Sequence, residues 1–173
     1  MSQKRFLSFV FAVTLALGCV LTASCGTETV HYSNSIAPSE LAAVADAALP
    51  EGSSMTAVPD DYIEGMMKID LSNSSGHVVK IQSSGINIDE YGIFKAPSEE
   101  AVTGVKDTVG GYLAMRLDTW MEEYMPEEKP KLQSATVKIM GQYVMYCILS
   151  EDVKDDVFDA VENCLLGKTE LPE

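Results

Sequence analysis

Few side chains in this 173-residue chain could do chemistry: a cysteine at a compositional border, two cysteines far from it, two histidines and two adjacent aspartate pairs. Hydrolysis through a side-chain nucleophile needs a base to activate it and a third group to orient that base. The chain has no Gly-x-Ser-x-Gly turn, and its only histidines are His31 and His77. A zinc site needs clustered His, Cys or carboxylate ligands, and no such spacing occurs. Asp60-Asp61 and Asp155-Asp156 are expected in the first turns of helices, where acids face the positive end of the helix dipole. Calcium loops need oxygen ligands at alternating positions around a glycine turn, and none is present. Ser74-Ser75-Gly76 and Ser83-Ser84-Gly85 are loops without the glycine-rich phosphate pattern. No catalytic residue, metal ligand or cofactor-binding residue is therefore assigned, and no cofactor is expected.

The border cysteine is different. In LTASCGTETV, residues 21–30, apolar sequence stops at Cys25 and polar sequence follows. Lys4 and Arg5 precede a run from Phe6 to Ser24 without a charge. A basic start, an apolar stretch and small residues before a cut form a secretory signal. Ala23-Ser24-Cys25-Gly26 resembles a bacterial lipobox, with Thr22 where leucine is usual. The resemblance implies removal of residues 1–24 and a diacylglyceryl group on the Cys25 sulfur. Two acyl chains on one residue supply the two signals that stable membrane anchoring needs. An uncleaved anchor stays open, because the uncharged run is nearly long enough to span a bilayer. Ordinary signal cleavage stays open too, and Ala16-Leu17-Gly18-Cys19 is a poorer competing match.

Without residues 1–24, 149 residues remain, enough for one domain with a real core. Two of the 12 basic residues go with the leader, leaving 10 against 26 acids, a net charge of −16. Such a surface is repelled by nucleic acid phosphates and by anionic headgroups, so no nucleic acid partner is expected. The expected partners are the membrane, through the lipid on Cys25, and an envelope protein. Cys147 and Cys164 are too few and too isolated for a disulfide framework.

The elements that would position these residues follow from periodicity. Residues 25–38 read as a lipid-anchored flexible tether, holding His31, that spans roughly 20 Å. Residues 39–168 read as a single domain and 169–173 as a tail. Leu41, Val44, Ala45 and Ala48 predict a helix over 39–49. Pro59-Asp60-Asp61 predicts the start of a second, burying Tyr62, Ile63, Met66 and Met67. Strands are expected at 77–83, with Val79 and Ile81 inward and Lys80 and Gln82 outward, and at 91–96. Residues 98–125 predict a long helix with an apolar stripe of Val102, Val105, Val109, Leu113, Leu117, Trp120, Met121 and Tyr124. Gly110-Gly111 should mark a bend or a close contact in it. Residues 135–140 and 143–150 predict a hairpin around Gly141-Gln142, pairing Val137 with Tyr146 and Ile139 with Val144. A last helix over 152–166 ends at Gly167.

The fold class is therefore α+β: an antiparallel four-stranded sheet from two strand-strand-helix units, with helices on one face and N-terminal helices before them. With Val144 and Tyr146 inward, Cys147 points away from Cys164, which lies on the last helix. A one-residue slip would instead put Met145, Cys147 and Leu149 inside. Either way both cysteines are expected as buried free thiols.

The stretches IDEYGIFKAPSEEAV and YMPEEKPKLQSATVKIMGQYVMYCILSED resemble a family of small Gram-positive lipoproteins carrying domain of unknown function 4358. The resemblance covers roughly residues 40–166. It implies location and fold but no activity. The resulting expectation is an extracytoplasmic lipoprotein, anchored at the outer face of the cell membrane, that acts as a non-catalytic binding or accessory module. An envelope enzyme or inhibitor with an unrecognised site is the alternative.

Overall fold

Tyr143 to Leu149 is a continuous apolar run. Alternation in a strand marks one buried face, whereas an unbroken run marks a strand buried on both. The computed structural model describes residues 30–85 and 87–172. In it this run forms a strand with both faces covered, so the expectation of helices on one face is corrected.

The chain orders as α1 (Pro38–Ala48), β1 (Met55–Ala57), α2 (Asp60–Gly65), β2 (Gly76–Gln82), β3 (Glu90–Lys95), α3 (Val102–Asp118), α4 (Lys129–Gln133), β4 (Thr136–Met140), β5 (Tyr143–Ile148) and α5 (Glu151–Leu165). The fold is α+β with one antiparallel sheet. The sheet has five strands, not four, in the order β1-β2-β3-β5-β4. The extra strand, β1, pairs with the end of β2: Met55 lies opposite Gln82 and Ala57 opposite Lys80. Three residues are too few to display a two-residue period. The hairpin register is the expected one, with Val137 opposite Tyr146 and Ile139 opposite Val144. Gly141 takes φ +61°, which a tight two-residue hairpin turn favours.

On one face, α1 and α5 pack Leu41, Ala45, Val157, Val161 and Cys164 against Tyr91, Ile93, Met145 and Cys147. On the other, α2, α3 and α4 pack Ile63, Val102, Val105, Val109, Tyr112 and Leu132 against Val79, Phe94, Val144, Tyr146 and Ile148. Lys80 was expected in solvent. It lies on the α1 side and pairs with Asp46. Cys147 was expected to point away from Cys164, yet both lie in the same core layer as buried free thiols. The row Met145-Cys147-Leu149 is an inner row, and so is Val144-Tyr146-Ile148. Burial pushes both thiols up, away from the reactive thiolate.

The long helix is shorter than its sequence suggests. It stops at Asp118, and the Thr119 hydroxyl donates to the Met115 carbonyl at 2.8 Å. Its buried stripe is Val102, Val105, Val109 and Tyr112. Leu117, Met121 and Tyr124, expected inside, are exposed, and Trp120 folds back against the core as part of a turn. Gly110-Gly111 makes no close contact: a β-carbon at either would meet nothing within 4 Å.

The later part of the expected tether is docked on the domain. Ser33 N–H donates to the Leu165 carbonyl at 2.8 Å, and the Tyr32 hydroxyl to Glu162 at 2.5 Å. Tyr143 donates its hydroxyl proton to the Ile36 carbonyl at 2.6 Å. Among the described residues no helix is long and apolar enough to cross a membrane.

Candidate functional site

The side chains singled out from sequence do not converge. Cys25 lies outside the described residues. His31 is exposed near the start of the described chain. His77 Nε2 lies 3.0 Å from Asp60 Oδ1, and its ring stacks on Phe94, so this pair ties α2 to β2. Asp61 is exposed. Asp155 and Asp156 are exposed and sit one turn further into α5 than expected, the first turn being Glu151 and Asp152. Ser74 and Ser75 donate their hydroxyl protons to backbone carbonyls of the β2–β3 edge. Among the described residues no group of three His, Cys, Asp or Glu side chains could hold a metal.

A different set does converge. β3 begins at Glu90, whose side chain faces the α3 layer and is 2 % exposed. An ionised carboxylate so deeply placed must be paired and hydrogen-bonded. Glu90 meets that requirement from two other elements. Tyr112 of α3 and Tyr146 of β5 donate their hydroxyl protons to its Oε1 at 2.5 and 2.6 Å. Arg116 of α3 donates from Nη1 to its Oε2 at 2.8 Å, and from the same nitrogen to the Tyr112 oxygen at 2.7 Å. Tyr112 thus accepts from the arginine and donates to the carboxylate, closing a ring of hydrogen bonds. Its ring also meets Tyr146 edge-on at 5.7 Å.

Local sequence explains the arrangement. Val102, Val105, Val109, Tyr112 and Arg116 recur at alternating steps of three and four, so the guanidinium ends the buried stripe of α3. Glu90, Gly92 and Phe94 share one face of β3. Gly92 lies opposite Tyr146, and a β-carbon there would overlap the Tyr146 ring. The glycine is the space through which Tyr146 reaches Glu90. The stretches IDEYGIFKA and GQYVMYC, read above for their family resemblance, supply Glu90, Gly92 and Tyr146.

The electrostatics favour holding charge over moving protons. Burial, then the Glu90 charge, pushes the Tyr112 and Tyr146 phenols well above their usual range. Burial alone would lower the Arg116 pKa, but Glu90 and Tyr112 outweigh it and the net direction is upward. General acid–base catalysis works best with groups near the operating pH; these are driven away from it.

Beside this centre a cleft of ≈ 180 Å³ opens, lined among others by Tyr62, Gln82, Asn87, Asp89, Glu90 and Arg116. Lys131 of α4 donates to Asp89, which lines the cleft, and to Glu128, at 2.8 Å each. Arg116 Nε and Nη2 have no hydrogen-bond partner among the described residues. Gln82 Oε1 is covered and also lacks a donor, a state that costs roughly 1–3 kcal/mol.

The sequence carried signals for this site: a lone acid in a strand of buried residues, and a lone arginine closing an apolar helix stripe. An apolar stripe read through Leu113 and Leu117 hides them, because Tyr112 and Arg116 lie one residue before those positions.

The fold and site define an α+β domain built on an antiparallel sheet with a buried carboxylate–arginine–tyrosine centre. The chain belongs to the family described as Domain of unknown function (DUF4358), whose model matches residues 48–149. No curated protein and no solved structure matches the chain.

Proposed function

We propose that this chain is an extracytoplasmic lipoprotein, anchored to the outer face of the membrane through Cys25, and that its domain is a non-catalytic binding module working through the cleft beside Arg116. The observation that carries the binding half is the division of labour within Arg116. One nitrogen is fixed by Glu90 and Tyr112, while Nε and Nη2 have no hydrogen-bond partner among the described residues, and Arg116 lines the cleft. A donor held in place before its ligand arrives loses little freedom on binding. Against catalysis stand the raised phenols and the absence of a paired nucleophile and base among the described residues. The anchoring half is supported by the leader pattern ending in Ala23-Ser24-Cys25 and by the acidic surface, which suits a chain held off anionic lipid. An envelope component is the natural partner of a module so placed.

Two experiments test the reading. Labelled fatty acid should enter the wild-type chain and be lost from Cys25→Ser; equal label in both, or none in either, overturns the anchor. A photo-crosslinking residue at position 62, beside the cleft, should give discrete adducts in intact cells. The same residue at position 159, exposed on α5, should not. No adduct from position 62 overturns the binding module.

A further inference from the structure

The geometry points to a neutral sugar ring as the ligand of the cleft beside Arg116, an inference that rests on the binding-module reading above.

Charge removes three ligand classes. No group of three metal-ligating side chains occurs among the described residues. An anion would meet Asp89 and Glu90 against Arg116, a lining with one net negative charge, and Arg116 is already shared with Glu90. Lys131 adds nothing to that balance, because it is held between Asp89 and Glu128. A cationic ligand would meet the open edge of Arg116, and the Glu90 oxygens that would attract it already accept from two tyrosines and the arginine.

What stays open is a mixture of donors and acceptors. Arg116 offers Nε–H and Nη2–H. Asn87 uses Oδ1 to accept from the Asp89 N–H at 3.0 Å, which leaves its amide protons. Asp89 uses Oδ1 for Lys131 and keeps Oδ2. Gln82 also lines the cleft, but its Oε1 is covered and is not part of this open set. Vicinal hydroxyls, each both donor and acceptor, match such a set. Tyr62 on α2, 40 % exposed, adds an aromatic face at the rim, against which the C–H side of a sugar ring can lie. The volume, ≈ 180 Å³, is below the roughly 300–1,000 Å³ of drug-sized pockets, so one ring at a time is accommodated.

The test is an NMR titration of the full-length protein, labelled with heavy nitrogen, in detergent micelles. The probes are glucose, galactose, mannose and N-acetylglucosamine, with inorganic phosphate, acetate and ethylammonium as charged comparisons. At least one sugar should shift the side-chain signals of Gln82, Asn87 and Arg116 Nε–H saturably, leaving the Trp120 indole signal still. Tyr62→Ala, and separately Asn87→Ala, should weaken that sugar about tenfold, the loss expected for one unmade contact. Saturable shifts from a charged probe and from no sugar would overturn the neutral-sugar inference and leave the binding module standing. Silence at all three signals with every probe would overturn both.

Discussion

The two faces of the sheet are built by different rules. The α1/α5 face is mostly apolar: Leu41, Ala45, Ile93, Met145, Val157 and Val161 meet there, Lys80–Asp46 pairs at its margin, and a buried cation, Lys154 of α5, reaches Glu151 and the Ser134 carbonyl. The α3 face has a carboxylate in its interior, and three side chains from two other elements arrange themselves around it. Packing tolerates small errors of shape because it has no preferred direction. A buried charge does not, since each lost partner leaves a group that water cannot reach. The first face therefore supplies stability, and the second fixes α3 against β3 and β5 in one position. The open edge of Arg116 is a product of that fixing.

The contrast can be broken most severely at Arg116. Arg116→Met removes the only cation that touches Glu90 among the described residues and should cost about 3–5 kcal/mol in urea unfolding at neutral pH. A loss under about 1 kcal/mol would mean that Glu90 is satisfied by the tyrosines alone.

Gly92→Ala attacks the same centre by shape. The added methyl displaces the Tyr146 ring from over β3, and overpacking together with a weakened hydrogen bond should cost about 2–3 kcal/mol. Gly92→Ala combined with Tyr146→Ala should recover part of the overpacking loss, measured by the same unfolding experiment.

Alkali sharpens the comparison without a large mutation. The Tyr112 and Tyr146 phenols are raised in the folded state. Their contribution is fully present below the unfolded tyrosine value, about pH 10, and is lost as pH rises above it, because the unfolded chain releases those protons first. Unfolding free energy should fall above about pH 10, and less steeply in Tyr146→Phe. A slope unchanged by that substitution would contradict the assignment.

The smallest effect has the opposite sign. Gly111 is exposed in the middle of α3, with nothing near its absent β-carbon. Gly111→Ala should stabilise by about 0.5–1 kcal/mol in thermal unfolding, without changing the centre.

Much of the fold was legible, for identifiable reasons. The hairpin register followed from Gly141-Gln142 and two flanking apolar runs, and α1 and α5 from stripes that end at Leu49 and Gly167. β1 was not legible because three residues carry no period. The second helical layer was not inferred, although Tyr143 to Leu149 is apolar on both alternating rows. The docking of Tyr32 and Ile36 was hidden because isolated apolar residues in a polar segment show no pattern. The site was the least legible part. Its four side chains come from residues 90, 112, 116 and 146, and only the pairing of β3 with β5 under α3 brings them together. No cluster along the chain announces the site, because this one exists only across it.

The central claim is that Glu90 and Arg116 form one energetic unit at the heart of the α3 face. A double-mutant cycle on Glu90→Gln and Arg116→Met, read by urea unfolding at neutral pH, tests it most directly. A unit predicts that the double variant is more stable than the two single losses imply, by at least about 1 kcal/mol. Additive losses, with a coupling indistinguishable from zero, would contradict it.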